Sequence, residues 1–193
     1  MANATQFWGS AGGTGADTTC YMAQTQTANA TCNGNGDGQT LDSAFVNSER
    51  FASWKNLSNA RLIEGSFRGR TAAAAGTFTA VIGLNAPPAK LSTGFFDIVY
   101  EIPNPTLYAT GTRLNVNVLS IYGLGPATYG TLKPEEAWNI DTKMDDGSPV
   151  NGKIFVNKKT PPVGTDCASS DADNATYDFT QTGNNCSLKM ALQ

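Results

Sequence analysis

Residues 134–149 of this 193-residue chain have the pattern of a short acidic helix that must stop in a tight turn. Pro134 stands where a helix tolerates proline, and Glu135 and Glu136 suit the positive N-terminal end of the helix. The run 145–147, Asp-Asp-Gly, then ends the helix in a turn. The sequence therefore predicts a helix that is placed at a defined position in the fold.

A longer helix is predicted over residues 40–64. One face of this segment recurs at three- and four-residue steps, which is the helical period, and it is apolar apart from Arg61: Leu41, Phe45, Phe51, Trp54, Leu57, Arg61 and Leu62. Asp42 or Ser43 can cap its start, and Gly65 can end it. We expect Trp54 and its neighbours on this face to pack in the core, since aromatic side chains at helical spacing usually do so.

Three later segments have the pattern of strands. Residues 94–102 are largely apolar, and residues 113–119 alternate polar with apolar side chains. Residues 153–156, Lys-Ile-Phe-Val, are a further short segment with the character of a strand. We expect the first two to pair antiparallel, with Val116 and Val118 on the face that packs on the long helix.

The expected fold is therefore α+β, a helix packed on a small antiparallel sheet. One domain is predicted over residues 1–193, because 193 residues with 40% hydrophobic content suffice for one core. Residues 1–39 are expected to be a loop region pinned by a disulfide, followed by the helix over 40–64. Residues 65–193 are expected to hold the sheet, the acidic helix and a C-terminal disulfide loop.

The four cysteines fall as two local pairs, Cys20 with Cys32 and Cys167 with Cys186. Neither spacing is the CxxC of a zinc or redox site. Four cysteines allow three connectivities, and the local one is favoured because short, turn-rich segments bring their ends together at small entropic cost. Two such disulfides indicate an oxidising compartment, whereas four reduced cysteines in a cytosolic domain are the alternative.

Charge and composition exclude several functions. Histidine is absent, which removes the commonest general base and transition-metal ligand. The net charge of -3 argues against nucleic acid as a partner, because phosphate binding needs clustered cations. The two obvious carboxylate pairs of this chain are unsuited to glycoside hydrolysis. Glu135 and Glu136 point different ways on a helix, and Glu49 and Glu64 would lie about 22 Å apart, which is too far. We therefore expect no enzyme.

Calcium is the one cofactor with support in the sequence. Asp141, Asp145 and Asp146 gather at the end of the acidic helix, where carboxylates repel one another unless a cation offsets them. A solvated helix end is the alternative. Residues 33–38, Asn-Gly-Asn-Gly-Asp-Gly, imitate half of a calcium loop but lack its final glutamate, so an Asx turn is favoured there. A third group comprises Asp166, Asp171, Asp173 and Asp178.

Two sets of residues together carry a resemblance to a known protein family. The first set lies at the long helix: Glu49, Phe51, Trp54, Leu57, Leu62, Ile63 and Gly65. The second lies at the acidic helix and its turn: Ala137, Ile140, Asp141, Asp145, Asp146, Gly147, Pro149 and Gly152. In this order they resemble the soluble head of a type IV pilin or a type II secretion pseudopilin. The chain departs from that family in lacking its N-terminal apolar helix and in carrying a cysteine-bridged loop at residues 20–32.

The resemblance implies a structural subunit of an extracellular or periplasmic filament that polymerises through an apolar N-terminal helix. Its partners would be copies of itself and other pilins, with the inner membrane as its anchor before assembly. We accordingly expect that Met1 is not the natural beginning. A secreted adhesin or carbohydrate-binding module is the alternative, because surfaces rich in Asn, Thr, Gly and Tyr suit polar recognition.

Overall fold

The computed structural model of the chain describes residues 38–40, 49–67, 80–90, 94–101, 115–123, 130–156, 166–170 and 172–192. These residues hold two helices and four strands: α1 (Glu49–Asn59), β1 (Gly94–Glu101), β2 (Val116–Gly123), α2 (Pro134–Met144), β3 (Ile154–Val156) and β4 (Leu188–Leu192). The strands form one small sheet in the order β1-β2-β4-β3. The expected α+β class is confirmed, while the packing of the long helix on the sheet stays a prediction.

The chain divides into two compact units. The first holds the described residues up to Pro88 together with Asp97–Tyr100, and the second holds Ala89–Phe96 and the described residues from Glu101 onwards. The single domain expected from the sequence therefore remains a prediction.

In the first unit, α1 buries the aromatic residues that the helical period placed on its inner face. Phe51 and Trp54 are only 2% and 5% exposed, whereas Leu57 is half-buried. Arg50 forms an ion pair with Asp97, whose carboxylate is fully buried. The positive partner offsets the cost of removing that charge from water.

α1 ends at Asn59, and the expected end near Gly65 is wrong. The amides of Arg61 and Leu62 donate to the carbonyls of Ser58 and Leu57, each at 3.0 Å, which are the two bonds of a Schellman C-cap. Arg61 takes the left-handed conformation, with φ of 59°, that glycine usually supplies. The chain therefore leaves the helix before Leu62, which is 67% exposed instead of buried. Residues 41–48, where the helix was expected to begin, lie outside the described residues.

β1, β2 and β3 form in the three segments that the sequence indicated. β2 runs to Gly123 and is longer than expected, and its Val118 is fully buried as the alternation predicted. Ser120 and Ile121 are both buried although they point to opposite faces. Both faces of this strand are therefore covered near its end.

β4 is a strand that the sequence did not predict. It pairs antiparallel with β2 and with β3, so it lies inside the sheet. Its Lys189 is fully buried, forms an ion pair with Glu101 and lies 5.3 Å from the ring centre of Tyr122. A lysine at a buried position breaks the apolar pattern by which strands are recognised, which explains the omission.

α2 spans Pro134–Met144, as predicted. Its first turn is capped because the Glu136 side chain accepts a 2.9 Å hydrogen bond from the Lys133 amide. The helix contributes Ala137 to the apolar core of the second unit, which also contains Leu132, Val150, Ile154, Val156, Cys167, Ala168, Ala175, Tyr177, Cys186 and Leu188. Within the described part of the chain, neither helix has the length and apolar character needed to cross a bilayer.

Candidate functional site

The end of α2 brings the three predicted carboxylates together. One oxygen from each of Asp141, Asp145 and Asp146 lies within 4.8 Å of the others. Residues four apart share a helix face, which places the first two side by side, and the helix stops at Asp145 so that the third begins the turn. We call this group the acidic turn.

Asp145 ties the end of α2 to the start of β3. Its Oδ2 accepts hydrogen bonds from the amides of Lys153 and Ile154, the latter at 2.8 Å. The backbone at Lys153 can approach the Asp145 carboxylate this closely because the preceding residue is Gly152, at φ of 78°. A Cβ added to Gly152 would lie 2.7 Å from the Asp145 carboxyl carbon. The carboxylate therefore stabilises the strand entry, and glycine is required beside it.

Asp141 is the buried member of the acidic turn. Its Oδ2 accepts a 2.8 Å hydrogen bond from the Tyr177 hydroxyl, and its Oδ1 accepts a longer one of 3.3 Å from the Gly147 amide. Burial raises the pKa of Asp141 from 3.8 to about 6, because desolvation outweighs these two hydrogen bonds and the nearby charges of Asp145 and Asp146 add to the rise. Burial, and then the charge of Asp141, also raise the pKa of Tyr177 above its usual range.

Asp146 is exposed and shapes the turn itself. Its Oδ1 accepts a 2.8 Å hydrogen bond from the Ser148 amide two residues on, which is an Asx turn. Gly147 follows at φ of 74°, in the left-handed region that glycine adopts readily. Each of the three carboxylates thus accepts hydrogen bonds that stabilise the fold around the turn.

A cation would have to share these carboxylates with the protein. Calcium takes six to eight oxygen ligands, so three carboxylates would need help from water or bidentate binding. Within the described residues, Asp145 Oδ1 and Asp146 Oδ2 are the oxygens of the acidic turn that accept no hydrogen bond. The donor set therefore suits a hard cation at the exposed edge, and calcium at Asp141, Asp145 and Asp146 remains a prediction.

The two other cation candidates gain no support. Residues 33–37 lie outside the described residues, as does Asp171. The Asp178 carboxylate forms hydrogen bonds within its own turn, where the Thr180 amide and hydroxyl donate to its Oδ1 at 3.1 and 2.5 Å. The Thr180 hydroxyl hydrogen bond lowers the pKa of Asp178.

The Cys167–Cys186 disulfide is present, with the two Cα atoms 4.9 Å apart. Cys186 is also paired through its backbone with Leu132, in an isolated antiparallel bridge. Its presence is compatible with an extracytoplasmic location. Cys20 and Cys32 lie outside the described residues, so their pairing stays a prediction.

One surface feature was not found from the sequence. Trp138 and Phe179 are exposed and meet edge to face, with ring centres 5.7 Å apart and planes at 84°. They line a cavity of about 490 Å³ together with Lys133, Glu135, Gln181 and Thr182, which we call the Trp138 groove. The available signal was the outward position of Trp138, one residue after the buried Ala137, but its partner lies 41 residues further along the chain.

No protein-family model, no curated protein and no solved structure matches this chain, so its function has to be inferred from its own residues and fold.

Proposed function

We propose that this chain is the head domain of a filament subunit of the type IV pilus or type II secretion pseudopilus kind. The observation that carries this proposal is the tie between Asp145 and the residues after Gly152. Asp145 and Gly152 both belong to the residues that resemble pilins, and they are in contact. The Asp145 carboxylate occupies the space where a side chain at position 152 would lie.

The order of elements supports the same function. A helix is followed by antiparallel strands, then by the acidic helix and its turn, and finally by a strand that enters the sheet next to a disulfide. A filament subunit must keep its shape while neighbours press on it, and covalent and hydrogen-bonded ties near the chain end serve this need.

The location and partners follow from that function. The head would lie in the periplasm or on the cell surface, where its disulfide is stable. An apolar helix preceding residue 1 would anchor the protein in the inner membrane and then pack against copies of itself and other pilins in the filament. Neither catalysis nor nucleic-acid binding forms part of this function.

Two observations test this function: the sequence that precedes the head in the natural reading frame, and the protein composition of filaments from the source cell. We expect an apolar stretch of about 20 residues, with a glutamate near its start, to precede the head. Mass spectrometry of filaments sheared from the cell surface should detect peptides of this chain, and deletion of the apolar stretch should remove them while the head still folds. A cleaved signal peptide alone, with the chain found free in the medium, would favour the secreted adhesin instead.

A further inference from the structure

The Trp138 groove exposes two aromatic rings that a protein normally buries. Trp138 is 38% exposed and Phe179 is 57% exposed. Aromatic side chains in contact with each other at a surface leave a large apolar area in water, and such areas often mark binding sites. The cavity of about 490 Å³ beside them lies within the range of roughly 300 to 1,000 Å³ that is usual for small-ligand pockets.

Both rings lie on hydrogen-bonded parts of the second unit. Trp138 lies on α2 between the buried residues Ala137 and Asp141, so the helix fixes the direction of its side chain. Phe179 lies in the turn that Asp178 organises, and the Asp178 amide donates a 2.9 Å hydrogen bond to the carbonyl of Cys167 in the disulfide. A groove that is formed before binding loses little entropy when a ligand enters.

The polar side chains of the groove form a balanced set. Lys133 and Glu135 carry opposite charges two residues apart, while Gln181 and Thr182 are neutral donors and acceptors. Gln181 is oriented because its Nε2 donates to Asp178 Oδ2 at 3.3 Å, which leaves its Oε1 available as an acceptor. Because the two charges cancel, the groove gives a charged ligand of either sign no net attraction, and its polar side chains favour a neutral ligand that forms several hydrogen bonds.

We propose that the Trp138 groove binds a neutral saccharide of one or two sugar residues. The C–H face of a pyranose ring is apolar and packs on an aromatic ring, while its hydroxyl edge needs several hydrogen-bond partners at once. The groove supplies both surfaces side by side. Saccharide binding is a function beyond filament assembly, and it can be measured on the head domain alone.

Isothermal titration calorimetry of the 193-residue chain tests this binding directly. The probes are the neutral disaccharides cellobiose, maltose, lactose and N,N′-diacetylchitobiose, with choline and glucuronic acid as charged comparators. We expect saturable binding of at least one neutral disaccharide and weaker binding of both charged probes. Trp138→Ala and Phe179→Ala should each weaken it about tenfold or more, as loss of an aromatic stacking surface does.

The matched control is Met144→Ala, because Met144 is 64% exposed on the same helix and does not line the groove. It should bind as the parent chain does. Trp138→Phe keeps an aromatic surface and should retain part of the affinity, which separates loss of the groove from loss of the fold should Trp138→Ala unfold.

Several results would overturn saccharide binding. These are no saturable binding by any neutral disaccharide, tighter binding of choline or glucuronic acid, and unchanged affinity in folded Trp138→Ala and Phe179→Ala. A concentration-dependent dimer in sedimentation that Trp138→Ala abolishes would show that a second copy of the chain occupies the groove. None of these results bears on the apolar stretch or the sheared filaments, so filament assembly is tested independently.

Discussion

The hydroxyl of Tyr177 donates a 2.8 Å hydrogen bond to Asp141 Oδ2, and both side chains are buried although 36 residues separate them. Tyr177 belongs to the segment next to the disulfide, where its residue neighbour Asp178 bonds to Cys167. The bond therefore connects the acidic turn to the C-terminal segment. Without Tyr177, Asp141 Oδ2 would be buried with no hydrogen-bond partner, which would lower the stability of the fold.

The first prediction concerns the pH dependence of stability. The Asp141 carboxyl titrates near 3.8 when the chain is unfolded and near 6 when it is folded, so between these values the folded state binds the proton more tightly. The free energy of unfolding should therefore fall as pH rises through this window, by at most about 3 kcal/mol. Asp141→Asn, which keeps the size of the side chain and cannot ionise, should flatten this fall.

Urea denaturation in EDTA at a series of pH values measures this effect. The control is Asp146→Asn, since Asp146 is exposed and should leave most of the slope in place. Asp178 contributes with the opposite sign, because its lowered pKa gives stability that is lost on acidification, so the comparison uses the difference between variant and parent. Equal slopes in the parent and Asp141→Asn would contradict the expectation.

The second prediction is that Gly152 is required by the Asp145 carboxylate. Gly152→Ala forces the carboxylate away from the amides of Lys153 and Ile154 and adds the strain of a left-handed alanine. Gly83→Ala is a matched control, because Gly83 has the same φ of 78° and an added Cβ there meets nothing within 4 Å. We expect Gly152→Ala to cost about 2 kcal/mol more than Gly83→Ala in urea denaturation. Similar losses would mean that the backbone conformation alone requires glycine.

The third prediction concerns calcium at Asp141, Asp145 and Asp146. A cation that binds only the folded state raises stability by about 2.7 kcal/mol at a hundredfold excess over its dissociation constant. Thermal melts in EDTA, in calcium and in sodium chloride of equal ionic strength separate specific binding from screening. The double variant Asp145→Ala, Asp146→Ala should lose the calcium-specific gain.

That double variant should also be less stable in EDTA, because Asp145 supports the start of β3. The decisive quantity is therefore the difference between calcium and EDTA within each protein. Equal shifts from calcium and sodium, or a calcium gain that survives the double substitution, would move the cation away from the acidic turn.

The fourth prediction is that Arg61→Gly stabilises the protein by about 1 kcal/mol. Arg61 holds φ of 59°, where a residue with a Cβ is strained and glycine is not. Arg61→Ala removes the same charge but keeps the Cβ, so it separates the backbone effect from the electrostatic one. Urea denaturation should show a gain for glycine only; a gain of equal size for alanine would assign it to the charge.

The fifth prediction is that Cys20 pairs with Cys32. Mass spectrometry of peptides from the unreduced protein should recover this bridge together with the bridge between Cys167 and Cys186. A peptide that joins either N-terminal cysteine to Cys167 or Cys186, or two free N-terminal thiols, would rule it out.

The candidate site was partly predictable because its residues are local in sequence. Asp141 and Asp145 share a helix face whatever the rest of the fold does, and the turn after them follows from glycine. The partners of these carboxylates could not be predicted. Tyr177 comes from a distant segment, and no periodic pattern links it to Asp141. The same holds for Phe179, which completes the Trp138 groove from the far side of a loop.

By itself the sequence determined those features that depend on neighbours along the chain: the bounds of α2, the positions of β1 to β3, the burial of Phe51 and Trp54, and the pairing of Cys167 with Cys186. Helical period, strand alternation, proline and glycine positions and short loop closure act over a few residues, so they can be seen without a fold.

Only the tertiary structure decided the place of β4 and the buried partner of Asp141. The end of α1 was missed for a local reason, because Arg61 takes a left-handed position that glycine usually occupies and the Schellman hydrogen bonds around it join residues 57–62. Lys189 could enter a sheet because Glu101, 88 residues away, forms an ion pair with it. Contacts between residues that are distant in sequence, such as Lys189 with Glu101 and Tyr177 with Asp141, stabilise side chains against their local preference, and they appear only when the chain is folded.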